Sequence, residues 1–75
     1  MGVDTDRALT EIQLEAARAV ARYGRFASQH EGYAIALEEM DELWQAIKEN
    51  ASRETVRGEA VQAAAMLLRF IIELA

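Results

Sequence analysis

The chain has 75 residues, and its 13 Asp and Glu exceed its 8 Lys and Arg, which gives a net charge of −5 at pH 7. This length suits one small domain, and the acidic balance argues against nucleic acid or an anionic membrane as a partner, because both bind basic surfaces. Cysteine is absent, which excludes a disulfide scaffold and thiol catalysis and fits a reducing, cytoplasmic location.

Apolar residues make up 52% of the sequence and proline is absent, a composition that favours helices. We therefore expect an all-α fold with three helices, forming a single domain over residues 1–75. Helices of this total length bury only a marginal core. The high apolar content therefore also predicts that copies of the chain assemble into a homodimer or homotetramer.

The first helix is predicted from about Thr5 to Tyr23. Apolar residues recur there at steps of three and four, which places them on one helical face. These residues are Leu9, Ile12, Ala16, Ala19 and Tyr23. Gly24 follows and can take the left-handed conformation that ends many helices.

The second helix is predicted to begin near Ser28 and to end near Asn50. Ser28 and Glu31 form a capping-box pattern, in which the serine oxygen accepts from the Glu31 amide and the Glu31 side chain reaches back. Steps of four and three predict a core stripe along this helix. Its members are Tyr33, Leu37, Met40, Trp44 and Ile47.

The third helix is predicted from about Ser52 to the C-terminus. Its last part, Ala60–Ala75, has only three polar residues in 16. A membrane span requires about 20 apolar residues, and this shorter stretch contains Arg69 and Glu73, so we expect a helix at the centre of a bundle instead. The short connection Ala51–Glu54 predicts that the second and third helices form an antiparallel hairpin.

The negative charge is confined to one segment. Residues 31–50 contain six acidic residues and a single basic one, Lys48, whereas the flanking segments 1–30 and 51–75 are each neutral. The whole net charge of −5 therefore belongs to the second predicted helix.

Carboxylates on this helix are the main chemical signal. Glu39 and Glu42 lie three residues apart on one face, and Glu38 is four residues before Glu42, so all are neighbours. In an antiparallel hairpin, the early part of the third helix faces the middle of the second, which brings Glu59 and Gln62 toward them. The two i,i+3 pairs, Glu39 with Glu42 and Glu59 with Gln62, give four oxygen-bearing side chains on two helices, which suit Mg²⁺ or Mn²⁺. The simpler interpretation is a solvated acidic face.

The same residues resemble a family signature. Glu38-Glu39-x-x-Glu42, followed by Glu59-x-x-Gln62, is similar to the E-E-x-x-E … E-x-x-D pattern of the MazG-like, all-α nucleoside triphosphate pyrophosphohydrolases. The wider resemblance covers roughly residues 22–74. It implies a single MazG-like domain whose subunits pair into dimers or dimers of dimers. It also implies that carboxylates hold Mg²⁺ while a water attacks between the α- and β-phosphates of a nucleoside triphosphate.

Carried over to this chain, the resemblance implies that Glu39, Glu42 and Glu59 are metal ligands. Gln62 would be a further ligand, and Glu38 would be another ligand or the catalytic base that orients the attacking water. Gln62 stands where the family pattern has Asp. An amide oxygen can bind a cation but adds no negative charge, so it should weaken metal binding and the acidification of a bound water.

Further residues are candidates for contact with the triphosphate. These are Arg25, His30 and Lys48, together with Arg22, although each also has an interpretation as a structural or solvated side chain. The alternative to an enzyme is a catalytically inactive helical oligomer that acts as a scaffold or regulatory protein. The amide at Gln62 and the short chain motivate this alternative.

Overall fold

The structure, a computed structural model, describes residues 2–75. This part of the chain contains no strand and folds into three helices, which are α1 (Val3–Tyr23), α2 (Gln29–Lys48) and α3 (Arg53–Leu74). The all-α prediction is confirmed, and the predicted helix ends differ from the observed ones by no more than two residues. Within the described range, no helix combines the length and apolar character needed to cross a membrane.

Serine side chains begin both α2 and α3. Ser28 Oγ accepts a hydrogen bond from the Glu31 amide at 3.1 Å, and Glu31 Oε1 accepts one from the Ala27 amide at 2.8 Å, which confirms the predicted cap. Ser52 Oγ accepts from the Thr55 amide at 3.1 Å. Because these side chains satisfy amides that have no partner inside the helix, they fix where each helix begins.

Two residues with positive φ end the first two helices. Gly24 has φ 79° and ψ −175°, a conformation largely restricted to glycine. Asn50 has φ 55°. Its amide donates to the Ile47 carbonyl, and the Ala51 amide donates to the Ala46 carbonyl, which is the Schellman pattern of a helix end.

Helix α3 is the central element. It packs against both α1 and α2, whereas α1 and α2 make no close backbone contact with each other. The buried residues that form one packed cluster are Ala16, Phe26, Ala36, Ala65 and Met66. The divergence of α1 and α2 leaves a cleft between them, to which α3 contributes Gln62 and Met66.

The core stripe predicted for α2 is wrong, because all five of its residues are exposed, with exposed fractions from 46% to 65%. The buried positions of α2 are instead Gly32, Ala36 and Ala46. These small residues allow close approach of α3: a Cβ added to Gly32 would lie 2.7 Å from Leu74 Cδ1 and 2.8 Å from Phe70 Cδ2. The large apolar residues are therefore left outside the core of the single chain.

The stripe predicted for α1 is confirmed in its middle and wrong at its ends. Ala16 is buried, and Ile12 and Ala19 pack against the core. Leu9 is 44% exposed and Tyr23 is 73% exposed. Contact with the core therefore covers only the middle of the predicted face.

A buried ion pair ties α3 to the connection between α1 and α2. Arg69 Nε donates to Glu73 Oε2 at 3.0 Å, and both side chains are at least nine-tenths buried. Arg69 also donates to the Gly24 carbonyl at 2.7 Å, and Glu73 Oε1 accepts from the Phe26 amide at 2.7 Å. The pair thus holds the chain where it leaves α1.

Candidate metal centre

Three carboxylates from two helices converge beside the cleft. Glu39 and Glu42 lie about one turn apart on α2, and Glu59 lies in the early part of α3. Each contributes one oxygen to a group in which all the oxygens lie within 4.8 Å of one another. The structure therefore brings together the three residues that the family resemblance implies as metal ligands.

These carboxylates are partly shielded from water and have no counter-charge. Oε2 of Glu39 and Oε2 of Glu59 are buried and lack any hydrogen-bond partner. None of the ion pairs within residues 2–75 involves Glu39, Glu42 or Glu59. Buried polar atoms are nearly always hydrogen-bonded in folded proteins, so these two oxygens are unusual and are available to a ligand.

The arrangement disfavours negative charge on the group. Burial and, next, the nearby carboxylates, first of all Glu42, together raise the pKa of Glu39 to about 7. Burial also raises the pKa of Glu59 above its ordinary value, again with a contribution from Glu42. Each of these carboxylates therefore costs free energy when ionised, unless a cation compensates its charge.

The donor set fits a small divalent cation. Mg²⁺ and Mn²⁺ prefer carboxylate oxygens. An ion held by Glu39, Glu42 and Glu59 would both bind the unpartnered oxygens and offset the repulsion between the carboxylates. Glu42 is exposed, so one side of the group is open to solvent and to a substrate.

The two other residues of the family pattern lie beside these carboxylates. Glu38 and Gln62 are exposed, and both line the cleft between α1 and α2 together with Glu39. The cleft has a volume of about 570 Å³, and α1 contributes Arg18 and Arg22 to its lining. Acidic side chains of α2 and basic side chains of α1 therefore share one cleft, which Glu15 of α1 also lines.

Three residues predicted to contact substrate lie elsewhere. Arg25 is exposed in the connection between α1 and α2, and His30 is exposed at the beginning of α2. Lys48 Nζ lies 5.6 Å from the centroid of the Trp44 ring, which is a cation–π distance. None of Arg25, His30 and Lys48 lines the cleft, and their contact with a triphosphate stays a prediction.

Sequence reasoning does not identify Arg18 as a site residue. Arg18 and Arg22 are four residues apart, which places them on one face of α1, and this spacing is the signal that the sequence contains. Their relation to the carboxylates depends on how α1 and α2 diverge from α3. That divergence is a property of tertiary packing, and the spacing of residues along α1 does not report it.

Known proteins do not supply a function for this site. The basis for a functional proposal is therefore the carboxylate group, the cleft and the charges that line it. No family model, no curated protein and no solved structure matches the chain.

Proposed function

We propose that the chain is a Mg²⁺-dependent nucleoside triphosphate pyrophosphohydrolase of MazG-like type, which converts a nucleoside triphosphate and water into the monophosphate and pyrophosphate. The observation that carries this proposal is the group formed by Glu39, Glu42 and Glu59, whose oxygens lie within 4.8 Å of one another. A merely solvated acidic face would keep its oxygens in water, whereas two oxygens of this group are buried and unpartnered.

Contacts between α2 and α3 support the antiparallel hairpin on which the site depends. At the beginning of α2, Gln29 Nε2 donates to the Leu74 carbonyl, at the end of α3, over 3.1 Å. Farther along α2, Glu39 approaches Glu59, which lies near the beginning of α3. Later residues of α2 thus lie beside earlier residues of α3.

The side chains have separate roles in the proposed reaction. Glu39, Glu42 and Glu59 would hold the cation, and Gln62 would contribute its amide oxygen. A bound Mg²⁺ would supply electrostatic stabilisation of the charge that develops on the phosphate oxygens. Glu38 orients a water and accepts its proton, as the water adds to phosphorus and the bond between the α- and β-phosphates breaks.

Release of pyrophosphate tests the proposal. The chain is incubated with a panel of ribonucleoside and deoxynucleoside triphosphates in Mg²⁺, and we expect monophosphate and pyrophosphate in equal amounts. Glu42→Gln should reduce the rate by about 100-fold or more, since it removes a charged metal ligand. Glu49→Gln, which changes an acidic residue just beyond α2, is the matched control and should retain activity. No product with any nucleotide would contradict the enzymatic function.

A catalytically inactive oligomer is the alternative, and Gln62 is the observation that favours it. An amide in place of a carboxylate reduces the negative charge around the cation and weakens the activation of water. Calorimetric titration with Mg²⁺ and Mn²⁺ discriminates between the two functions. The enzyme requires metal binding that Glu42→Ala removes, whereas a scaffold shows no heat of binding in either form.

We also infer that two copies of the chain pair through one apolar surface, here called the apolar flank. It consists of Tyr33, Leu37, Met40, Trp44, Ile47, Leu67 and Ile71, all of them exposed in the single chain. At about 100° per residue, its α2 members lie on the side of α2 away from Glu38 and Glu42. Soluble monomers rarely expose so many neighbouring large apolar residues, and pairing here would leave the cleft open.

Sedimentation equilibrium with one charged substitution tests this pairing. The unmodified chain should have twice its monomer mass of 8.4 kDa. Trp44→Glu places a charge within the apolar flank and should shift the protein to monomer, because an unpaired charge is costly to bury. Ala34→Glu adds the same charge at an exposed position of α2 outside the apolar flank and should leave the dimer intact. A monomeric unmodified chain would show that the inference is wrong.

A further inference from the structure

The cleft between α1 and α2 has a net basic charge on α1 and an acidic charge on α2. Helix α1 contributes Arg18 and Arg22 together with one acid, Glu15, whereas the charged residues that α2 contributes are Glu38 and Glu39. The two helices make no close backbone contact, so these charges are separated by open space. Its volume of about 570 Å³ falls in the range of small-molecule sites.

The two arginines differ in their present partners. Arg18 donates to Glu15 at 2.9 Å but keeps 74% of its side chain exposed. Arg22 forms no ion pair among residues 2–75, and its guanidinium lies 5.3 Å from the centroid of the Tyr23 ring. Arg22 can therefore bind an anion without losing an ion pair, and Arg18 has guanidinium donors besides the Nη1 that bonds the largely buried Glu15.

The cleft and the carboxylate group share the side chain of Glu39, so an anion in the cleft would lie next to that group. Glu39 lines the cleft and also belongs to the group with Glu42 and Glu59. Without a cation, the acidic helix repels a phosphate chain. A divalent cation on the carboxylates would offset most of this negative charge, and one phosphate chain could then contact the metal on one side and the guanidinium groups of α1 on the other.

We propose that Arg18 and Arg22 bind the phosphate chain of the substrate and thereby close the open side of the metal centre. This proposal rests on the proposed function, since it requires a cation held by Glu39, Glu42 and Glu59. Arginine suits the task, because its planar guanidinium group can donate two hydrogen bonds to one phosphate. The substrate class is thus a metal-bound polyphosphate, which contacts side chains from both walls of the cleft.

Binding of inorganic tripolyphosphate in saturating Mn²⁺ provides the test, because this probe contains the phosphates without base or sugar. Calorimetry is expected to show affinity reduced about tenfold by Arg18→Gln and about tenfold or more by Arg22→Gln, in line with the loss of a charged hydrogen bond. The tripolyphosphate affinity of Arg22→Lys, which keeps the charge, should lie between that of Arg22→Gln and that of the unmodified chain. Arg53→Gln removes an exposed arginine outside the cleft and should bind normally.

Titration with Mn²⁺ alone separates this proposal from the proposed function. We expect the arginine variants to bind Mn²⁺ as the unmodified chain does, which places their defect at the phosphate. If Mn²⁺ binds but Arg18→Gln and Arg22→Gln keep full tripolyphosphate affinity, the cleft proposal is wrong and the metal centre stands. If Mn²⁺ does not bind the unmodified chain, both proposals are wrong. An equal loss of Mn²⁺ affinity in the variants overturns the arginine roles, because the defect is then structural.

Discussion

Replacing Arg69 by Met is expected to destabilise the protein by about 3 kcal/mol or more, a large part of the stability of a small domain. Arg69 is only 4% exposed, and its charge is matched by Glu73 at 3.0 Å. Its guanidinium also donates to the Gly24 carbonyl at 2.7 Å and lies 4.0 Å from the centroid of the Phe26 ring. Removal of the arginine would leave the buried Glu73 carboxylate without its ion-pair partner and the Gly24 carbonyl without its hydrogen bond to α3.

A second ion pair of the same spacing provides the matched control. Arg7 and Glu11 are also four residues apart and pair at 3.2 Å, but the Arg7 side chain is 72% exposed. Arg7→Met should therefore leave the free energy of unfolding nearly unchanged, because an exposed ion pair contributes little to stability. Urea unfolding followed by circular dichroism, at one fixed protein concentration, compares the two variants. Similar losses in both would show that burial does not determine the contribution of the Arg69 pair.

The acid dependence of stability provides a second measurement on the same pair. Burial alone would raise the pKa of Glu73, but the hydrogen bond from the Phe26 amide and the pairing with Arg69 together lower this pKa below its ordinary value. A carboxyl group with a lowered folded-state pKa stabilises the protein above its unfolded-state pKa. That contribution is lost as the pH falls through the folded-state value. Arg69→Met should therefore reduce the loss of stability on acidification.

Local sequence patterns were sufficient to predict where α2 and α3 begin and that Glu39 and Glu42 lie close together. Ser28 and Ser52 are caps because their oxygens bond amides only three residues away, so no distant part of the chain is needed. The spacing of Glu39 and Glu42 places them on neighbouring turns. Only Glu59 required a tertiary assumption, and that assumption was the hairpin itself.

The buried face of α2 could not be predicted from its apolar pattern. Helical periodicity identified the face that contains Trp44, which is the most apolar one, yet Trp44 is 56% exposed. The chain instead buries Ala36 and Gly32, because small side chains let two helix backbones approach. Which face meets α3 depends on complementary shape along α3, where Phe70 and Leu74 occupy the space beside Gly32. A one-dimensional pattern contains no such information.

The buried ion pair and the cleft also could not be predicted in full from the sequence, because both depend on tertiary contacts. Arg69 stands in an otherwise apolar stretch, and its partner Glu73 is visible from the spacing alone. Its contact with Gly24, however, joins residues 45 positions apart. Likewise, the charge on Arg18 is evident in the sequence, but Arg18 and Glu38 line the same cleft only because α1 and α2 diverge.

Glu39→Gln is expected to stabilise the metal-free protein above pH 7 and to remove its response to Mg²⁺. The pKa of Glu39 is raised from 4.5 to about 7, mainly by burial and then by the charges of Glu42, Glu59 and Glu38. The folded state therefore holds an extra proton between these two pH values. The free energy of unfolding falls as the pH rises from about 4.5 to about 7, and this contribution is constant above that range.

The size of the effect follows from the same pKa change. One pKa unit corresponds to about 1.4 kcal/mol, but Glu39 keeps contact with solvent, which screens its charge. We therefore expect Glu39→Gln to increase the free energy of unfolding by about 1 kcal/mol above pH 7. Little change is expected below the ordinary pKa of a glutamate, because Glu39 is then neutral in both the folded and the unfolded state.

Addition of Mg²⁺ above pH 7 should make the unmodified chain more stable than Glu39→Gln, which is the reverse of their order without metal. A cation binds the carboxylate only after the proton has left, so the metal affinity of the unmodified chain should rise as the pH approaches 7 and then level off. Binding to the folded state alone raises the free energy of unfolding in proportion to the logarithm of the metal concentration. The unmodified chain thus gains stability from Mg²⁺ above pH 7. Glu39→Gln, which lacks one charge of the group, gains little.

Thermal unfolding of both proteins below and above pH 7, with and without Mg²⁺, measures all of these effects in one experiment. Glu49→Gln is the control for the loss of one negative charge, because Glu49 lies outside the carboxylate group; it should keep both the fall in stability toward pH 7 and the gain with Mg²⁺. Equal stabilisation of all three proteins by Mg²⁺ would indicate that the ion acts by general screening of the acidic segment. A gain confined to proteins that contain Glu39 would indicate that the buried carboxylates bind the metal.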